Sequence, residues 1–277
     1  MNIADFEIYK DLLKEKSGLS LTQDKAYLIR SRLNPISKKW GYDNISVMTH
    51  VLRGVPPKDL IDDIIEAMTT GDTSFFRNKK AFDVIRDTVL PYYLSRQGGD
   101  KHIKIWCTAA SSGQEPYSLA MLLKEEQENM PDWRFTITAS DISHEILERA
   151  KEGVYTQFES QRGLSVSMLM KYFSQNGNTW SLSDEIKQMV QFKDFNLLDD
   201  MSNMGQFDII FCRNVLVYFD EETRRDVLSR LNGQLADDGL LFLGYDENII
   251  EATEDFKAVT NCSGIYAKSE SNHLSTA

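Results

Sequence analysis

Apolar residues recur at helical spacing through the first part of the chain. Two such faces are formed by Phe6, Tyr9, Leu12 and Leu13 and by Ile61, Ile64, Ile65 and Met68. Apolar residues three or four positions apart share one face of a helix, and no alternating strand pattern competes with them. The pattern predicts a helical N-terminal domain over residues 1–88. The following stretch, 89–101, contains Pro91 and the pair Gly98-Gly99 and predicts a linker.

From residue 102 onward, short apolar runs alternate with helix-like segments. The runs, rich in β-branched or aromatic residues, are HIKIWC (102–107), FTITAS (135–140), VQFKDF (190–195), FDIIFC (207–212) and LLFLGY (240–245). The helix-like segments are 116–128, 143–151 and 221–236. This alternation predicts an α/β domain over 102–277, with a mostly parallel sheet covered on both faces. Residues 153–188 break the alternation and are predicted to be an insertion.

Composition excludes several functional classes. Of 277 residues, 42% are apolar and 26% are charged, as in a typical globular protein. The formal net charge of −11 disfavours general binding to nucleic acid or to anionic membranes. The three widely spaced cysteines match neither a disulfide framework nor a zinc site, and no stretch approaches 18 apolar residues. With an acidic start unlike a signal peptide, these features predict a cytoplasmic protein that holds no metal and does not insert into membranes.

Polar residues follow the first two predicted strands, at the edge where open α/β sheets bind ligands. After the first strand comes TAASSGQEP (108–116), whose small residues allow a ligand to approach the backbone. Its single glycine argues against a pyrophosphate site of the GxGxxG kind. Glu115 can meet a ligand ammonium or be an ordinary acid at a helix start. Asp141, after the second strand, can bind both hydroxyls of a ribose or cap the next helix.

Two further strand ends and one loop carry candidate binding residues. Asn196 and Leu197 follow the third strand, where an amide and an apolar neighbour can read and cover a purine, although such sequence is common in loops. Arg213 and Asn214 follow the fourth strand, and polar residues there indicate a cleft. The segment 68–77, MTTGDTSFFR, is either a loop across the site, with its final arginine available to a carboxylate, or a simple interhelical turn.

In combination these motifs resemble the chemotaxis receptor glutamate methyltransferases of the CheR type. The matching stretches, in the family's order, are TTGDTSFFR, WCTAASSGQEPYSLAM, ASDIS, NLLD, FDIIFCRNVLVYF and LLFLGYDEN. The resemblance implies a Rossmann-like methyltransferase domain that uses S-adenosylmethionine and has a small β insertion, preceded by a small all-helical domain. The implied reaction is methyl transfer to glutamate side chains of bacterial chemoreceptors, for sensory adaptation.

The resemblance also assigns roles to single residues. Its cofactor positions are Thr73 and Arg77 at the methionine end, Glu115 near the amino group, Asp141 at the ribose, Asn196 and Leu197 beside the adenine, and Asn214 and Val215 at the pocket floor. Family members often carry asparagine where Gly71 stands here. Only the backbone can therefore contribute at this position.

The implied reaction requires neither a catalytic side chain nor a metal. A glutamate acceptor, with an ordinary pKa of about 4.3, is already ionised at neutral pH, so that the enzyme has mainly to align it and exclude water. One alternative is a methyltransferase with another acceptor, and a second is a module that binds the cofactor as a signal. A third, a nicotinamide oxidoreductase, is disfavoured by the missing GxGxxG.

The substrate side is predicted from a basic segment, residues 25–42, that contains no acid. Its cations are Lys25, Arg30, Arg32, Lys38 and Lys39. The segment is either a solvated helix face or a surface for acidic receptor helices. Arg213 and Tyr218 are further candidates for substrate contact. The expected partners are the cytoplasmic helices of methyl-accepting chemotaxis receptors, and the enzyme is expected to be a monomer.

The insertion bears on how such receptors are recognised. Family members that dock on a C-terminal receptor peptide resemble one another there in a glycine-rich, arginine-bearing β-hairpin, whereas residues 174–185 have one glycine and no arginine. Asn176-Gly177 still predicts a tight hairpin turn. The sequence therefore predicts an enzyme that is independent of the tethering peptide. Trp180 is expected to be buried, with an exposed anchor for another partner as the alternative.

Overall fold

The computed structural model describes residues 2–69, 71–95, 101–249 and 253–271. The first range is a helical domain made of α1 Ile3–Ser17, a 3-10 turn Gln23–Lys25, α2 Ala26–Lys39, α3 Ile45–Leu52 and α4 Lys58–Thr69. Asn2 caps α1 by accepting from the Asp5 N–H, and Gly18, with a φ of 75°, ends it. None of the helices within the described ranges combines the length and apolarity that a membrane span requires.

The helical domain has a hydrophobic core of its own. Tyr9 and Leu13 of α1 are buried in one cluster with Leu33 of α2 and Ile64 of α4. Buried apolar side chains of this kind provide most of the driving force for packing such short helices together. The helical faces predicted around Tyr9 and Ile64 are the faces that this core buries.

A second helical run continues the chain but joins a different core. It consists of α5 Lys79–Val84, a π-helical turn Ile85–Val89 and α6 Leu90–Ser95. Phe82, Val89 and Tyr93 are buried in the cluster of the sheet domain. The change of core therefore falls between Met68 and Phe75, earlier than the predicted boundary at residue 88, and residues 89–95 are helix rather than linker. The glycine pair predicted for the linker lies outside the described residues.

Strands and helices alternate from residue 101 onward. The strands are β1 His102–Cys107, β2 Arg134–Asp141, β3 Val154–Thr156, β4 Phe173–Asn176, β5 Thr179–Leu182, β6 Val190–Asp194, β7 Phe207–Cys212, β8 Leu235–Leu243, β9 Phe256–Ala258 and β10 Ile265–Lys268. The helices are α7 Gln114–Glu126, α8 His144–Glu152, α9 Gln157–Gln161, α10 Val166–Tyr172, α11 Asp184–Lys187 and α12 Glu221–Gln234, with a 3-10 turn Leu216–Tyr218. The run predicted at 240–245 is a strand that begins earlier, at Leu235.

The main sheet has the strand order β6-β2-β1-β7-β8-β10-β9. The first five of these strands are parallel, and β10 pairs antiparallel with both β8 and β9. Both faces are covered, because Ile105 of β1 is buried with Leu119 of α7, whereas its neighbour Trp106 is buried with Leu228 of α12. The chain order reverses between β1 and β7, which opens a crevice at the carboxyl ends of the parallel strands.

The predicted insertion forms a separate antiparallel sheet in the order β3-β5-β4. Gly177, with a φ of 59°, and Asn178 are the turn residues between β4 and β5, one position later than the predicted Asn176-Gly177 turn. Trp180 is 8% exposed, and its Nε1 donates to Gln157 Oε1 at 2.6 Å. The prediction of a buried tryptophan is therefore confirmed.

Candidate active site

A cavity of about 690 Å³ lies beyond the carboxyl ends of β1, β2, β6 and β7. Its volume falls within the range of small-molecule sites. The residues predicted to bind the cofactor all line it: Thr73, Arg77, Glu115, Asp141, Asn196, Leu197, Asn214 and Val215. Their proximity could be predicted from the sequence, because the carboxyl ends of neighbouring parallel strands meet at one edge of the sheet.

The helical domain closes the cavity from the opposite side. Its contribution includes Ser17, Leu19, Leu21 and Leu28. The Ser20 N–H donates to the carbonyl of Tyr218 at 2.8 Å, while the Tyr218 side chain is 52% exposed and also lines the cavity. Gly18 lies so close to Phe219 that a Cβ there would be 2.8 Å from the ring. The sequence did not predict this side, because apolar residues after a helix end are typical of any core.

Glu115 and Arg213 form a buried ion pair beside the cavity. Arg213 Nη1 lies 2.7 Å from Glu115 Oε2, and the Arg213 side chain is only 1% exposed. Burial raises the pKa of Glu115, and the guanidinium opposes that rise. Arg213, predicted to contact substrate, also donates through Nη2 to the Arg77 carbonyl at 2.8 Å. The guanidinium is therefore placed to hold the Glu115 carboxylate and the backbone at Arg77.

Asp141 is the last residue of β2, and each of its oxygens accepts one backbone hydrogen bond. Oδ2 accepts from the Ser111 N–H at 2.8 Å, and Oδ1 accepts from the Ser143 N–H at 3.1 Å. Burial raises the pKa of Asp141, and these donors oppose the rise. A carboxylate oxygen has a second lone pair for a ligand hydroxyl. The two predicted roles, ribose binding and capping of the next turn, are therefore compatible.

A carboxylate of the helical domain, Glu66 of α4, lies close to Asp141, and the sequence pattern does not mark it as part of a site. Its Oε1 accepts a short hydrogen bond from Ser143 Oγ. Burial raises the pKa of Glu66, and the Glu145 and Asp141 carboxylates raise it further. An acid opposite the apolar face of an amphipathic helix is typically solvated, so only the folded structure reveals that Glu66 links the two domains.

Asn196 and Leu197 follow β6 and line the cavity next to the helical domain. Asn196 Nδ2 donates to the Lys16 carbonyl at the end of α1 at 2.7 Å, and Oδ1 accepts from the Leu198 N–H at 3.0 Å. The amide thus ties the sheet domain to the helical domain. Leu197 is buried and supplies an apolar wall.

The wall that runs from Asn214 to Tyr218 is held by Glu247, a residue that the sequence pattern does not mark as functional. This carboxylate is 5% exposed and accepts four hydrogen bonds from backbone donors. The donors are the N–H groups of Asn214 at 2.8 Å, Val215 at 3.0 Å, Val217 at 3.2 Å and Gly244 at 2.7 Å. They hold Asn214 in a left-handed conformation, with a φ of 60°. Glu247 belongs to the motif LLFLGYDEN, but nothing local in that motif marks a buried acid.

Residues 71–78, which lie between α4 and α5, form both an interhelical turn and a wall of the cavity. Thr73 and Arg77 line the cavity, and Arg77 Nη1 donates to the Asp72 carbonyl at 2.8 Å. Phe76 and Asn78 have φ values of 47° and 55°. Left-handed residues cannot continue a right-handed helix, which explains why the chain breaks here.

The basic residues predicted to face a receptor lie in different environments. Lys25 and Arg32 line the cavity, and Arg32 also donates to carbonyls at the end of α4. Lys39 forms an ion pair of 2.8 Å with an acid of α4. Arg30 and Lys38 are exposed, and neither forms an ion pair within the described part of the chain.

Two family models together cover most of the chain. The all-alpha domain of CheR methyltransferases matches residues 4–69, and the SAM binding domain of CheR methyltransferases matches residues 71–265. The chain belongs to the CheR methyltransferase family. It is a methyltransferase that uses S-adenosylmethionine, and the nicotinamide oxidoreductase alternative is excluded.

Curated relatives extend over nearly the full length. Chemotaxis protein methyltransferase 1 of Pseudomonas aeruginosa is 37% identical over 95% of this chain and 96% of its own length. Chemotaxis protein methyltransferase Cher2 of Pseudomonas putida is 35% identical over 94% and 96%, respectively. The chemotaxis protein methyltransferase of Vibrio parahaemolyticus is 37% identical over 97% and 98%.

The cavity fits S-adenosylmethionine in size and in chemistry. The cofactor carries two cationic groups, an ammonium and a sulfonium, and the cavity contains the carboxylates of Glu115 and Asp141. Ser111 also lines it, and its buried hydroxyl has no hydrogen-bond partner within the described residues, as expected where a polar ligand binds. Leu197 and Val215 add apolar surface for the adenosine.

Asp141→Ala is expected to weaken binding of S-adenosylmethionine at least about tenfold, because a hydrogen bond to a charged group is worth about 1.5–3 kcal/mol. Isothermal titration calorimetry measures the effect. The control is Asp194→Ala, which removes an exposed carboxylate from the paired position of β6, outside the cavity lining. Equal affinities of the two variants, both folded, would remove Asp141 from the cofactor site.

Proposed function

We propose that this enzyme transfers the methyl group of S-adenosylmethionine to glutamate side chains of bacterial chemoreceptors and forms glutamate methyl esters. The proposal rests on one observation. The cavity of this CheR-family chain is lined by Lys25 and Arg32, two cations of the basic segment 25–42. The names of the curated relatives, chemotaxis protein methyltransferases, support a chemoreceptor as the substrate.

In this proposal the carboxyl ends of the strands bind the cofactor. Glu115 receives its ammonium, Asp141 its ribose hydroxyls and Arg77 its carboxylate, since each pair joins opposite charges or complementary hydrogen-bonding groups. The remaining contacts are Thr73 at the methionine end, Asn196 and Leu197 beside the adenine, and Asn214 and Val215 at the floor.

The reaction requires the protein mainly to align the acceptor carboxylate with the methyl group, and less to supply a catalytic side chain. Bound S-adenosylmethionine supplies an electrophilic methyl group on a sulfonium. An ionised acceptor carboxylate needs no general base, and the helical domain covers the cavity and reduces its contact with water. Because Arg213 is paired with Glu115, its charge does not weaken the acceptor carboxylate as a nucleophile. Tyr218, half exposed at the cavity, is the candidate for contact with the acceptor.

The basic segment is proposed to meet the acidic receptor helices. Reversal of Arg30 and Lys38 to glutamate should raise the KM for the receptor and leave cofactor affinity unchanged, because both side chains are exposed and lie outside the cavity lining. Lys39 is a poorer choice, since its reversal would place a carboxylate against Asp63. Initial rates at low and high salt measure the effect, which should shrink as salt is added.

A matched control reverses Lys79 and Lys80, two exposed lysines at the start of α5. This variant changes the net charge by the same amount at another surface. Equal kinetics of the two double variants at low salt would reject the basic segment as a docking surface.

We also propose that the enzyme does not need a C-terminal tethering peptide on its receptor. The hairpin of β4 and β5 has no arginine, and its tryptophan is buried with Gln157 as a partner. An arginine on such a hairpin would hold a peptide carboxylate through two hydrogen bonds, and this hairpin lacks that chemistry.

One assay tests both parts of the proposed function. Methyl-labelled cofactor and enzyme are incubated with receptor fragments that keep or lack the C-terminal tail. Base-labile label on both fragments, at similar rates, supports ester formation without a tether. Loss of transfer on tail removal would contradict tether independence alone, whereas cofactor binding without label on either fragment would favour another acceptor.

A further inference from the structure

The loop that carries Thr73 and Arg77 is held in place by the β insertion. The Asp72 carboxylate is bound by both terminal nitrogens of Arg162, which directly follows α9 of the insertion. Two parallel N–H···O bonds fix the orientation of a carboxylate as well as its distance. The ion pair joins residues that are 90 positions apart in the sequence.

The next insertion residue, Gly163, packs against the same loop. It has a φ of 97°, and a Cβ at this position would lie 1.8 Å from the carbonyl oxygen of Phe75. Only glycine permits this approach. The Phe75 side chain is fully buried and makes edge contacts with two aromatic rings of the insertion, Tyr155 at 4.9 Å and Phe173 at 5.6 Å between centroids.

The same loop is connected inward to the cavity. The Asp72 carbonyl accepts from Arg77 Nη1, and the Arg77 carbonyl accepts from Arg213 Nη2. Arg213 in turn pairs with Glu115. The insertion therefore holds the outer side of a loop whose inner side belongs to the site.

We propose that the turn Arg162-Gly163 is a positioning element of the cofactor site, which fixes the loop from Gly71 to Arg77 in the conformation that binds S-adenosylmethionine. Arg162 does not line the cavity and acts through Asp72. The inference gives the insertion a role in an enzyme whose hairpin lacks the residues for a receptor peptide. It concerns cofactor binding and does not depend on the identity of the methyl acceptor.

The test is a double-mutant cycle on the ion pair, read by calorimetric binding of S-adenosylhomocysteine without receptor. Arg162→Ala and Asp72→Asn should each raise the Kd roughly two- to fivefold, since the substitution removes an exposed bidentate contact but leaves the Asp72 carbonyl that Arg77 uses. Because Asp72 itself lines the cavity, the double variant should bind no more weakly than Asp72→Asn alone, since both substitutions remove the same interaction. Backbone amides of the loop should also exchange faster with deuterium in Arg162→Ala.

The control is Lys171→Ala, which breaks another exposed ion pair of the insertion, whose partner is Glu125 of α7 and not a loop residue. It should leave the Kd unchanged. Gly163→Ala should weaken binding more than Arg162→Ala, provided that circular dichroism reports a folded protein. An unchanged Kd in folded Arg162→Ala, or effects of Arg162 and Asp72 that multiply in the double variant, would overturn the proposal.

Discussion

Arg213→Leu should lower the free energy of unfolding by about 3–5 kcal/mol, because it leaves the Glu115 carboxylate buried without its cation. The pKa of Glu115, already raised by burial, should rise further when the opposing guanidinium is removed. Binding of S-adenosylmethionine should weaken as well, since the backbone at Arg77 loses the donor that holds it. Urea denaturation at neutral pH measures the stability, and calorimetry measures the affinity.

A second substitution separates the two consequences. Glu115→Gln in the Arg213→Leu background removes the uncompensated charge and should restore much of the stability, but it should not restore cofactor affinity. Arg225→Ala, which breaks an exposed pair with Glu221, is the control for loss of an arginine and should cost less than about 1 kcal/mol. If Arg213→Leu were as stable as that control, the buried pair of Arg213 and Glu115 would not stabilise the fold as proposed.

The sequence could predict the strands and the edge at which ligands bind. Runs such as HIKIWC and FDIIFC are β1 and β7 with the predicted bounds, because short β-branched and aromatic runs between helical segments are typical of buried parallel strands. Residues at the carboxyl ends of those strands can then be predicted to lie at one edge of the sheet without further information. This is why Glu115, Asp141 and Asn214, far apart in the chain, line one cavity.

The sequence could not predict which core the second helical run would join. Helical spacing reports an apolar face but not its neighbour, so that Phe82 and Ile85 fall within the predicted helical domain and Val89 within the predicted linker, although all three pack on the sheet. Pro91 indicated a break, because proline removes one hydrogen bond of a helix. In the structure Pro91 lies just after a π-helical turn, Ile85–Val89, and the chain nevertheless remains helical to Ser95.

The sequence also could not predict hydrogen-bond and ion-pair partners that lie far apart along the chain. The position of Arg213 directly after a buried strand predicts a cleft and a substrate contact, whereas its partner Glu115 is 98 positions away in the sequence. The sequence predicts that Asn196 contacts adenine, but not that both ends of its amide bind backbone groups, one of them in the helical domain. Such pairings are set by tertiary structure, and only a local motif can be read from sequence.

Glu247→Gln is expected to have the largest effect on methyl transfer, although Glu247 lies behind the wall of the cavity. Each carboxylate oxygen accepts from two backbone N–H groups, and an amide can accept at only one of its two ends. Two buried donors would then face an NH2 group, at a cost of about 1–3 kcal/mol each. The strand-to-turn segment from Asn214 to Tyr218 should shift, and a displacement of reacting groups by about 1 Å can reduce kcat about 100-fold.

The matched control is Asp246→Asn, which makes the same chemical change one residue away on an exposed side chain. It should leave stability and turnover unchanged. The decisive comparison is kcat against cofactor Kd in Glu247→Gln. Because the segment held by Glu247 includes the proposed acceptor contact Tyr218 as well as the pocket floor, kcat should fall by more than the Kd rises. Normal turnover in a folded Glu247→Gln enzyme would show that the segment keeps its conformation without the carboxylate, and Glu247 would then be a structural acid only.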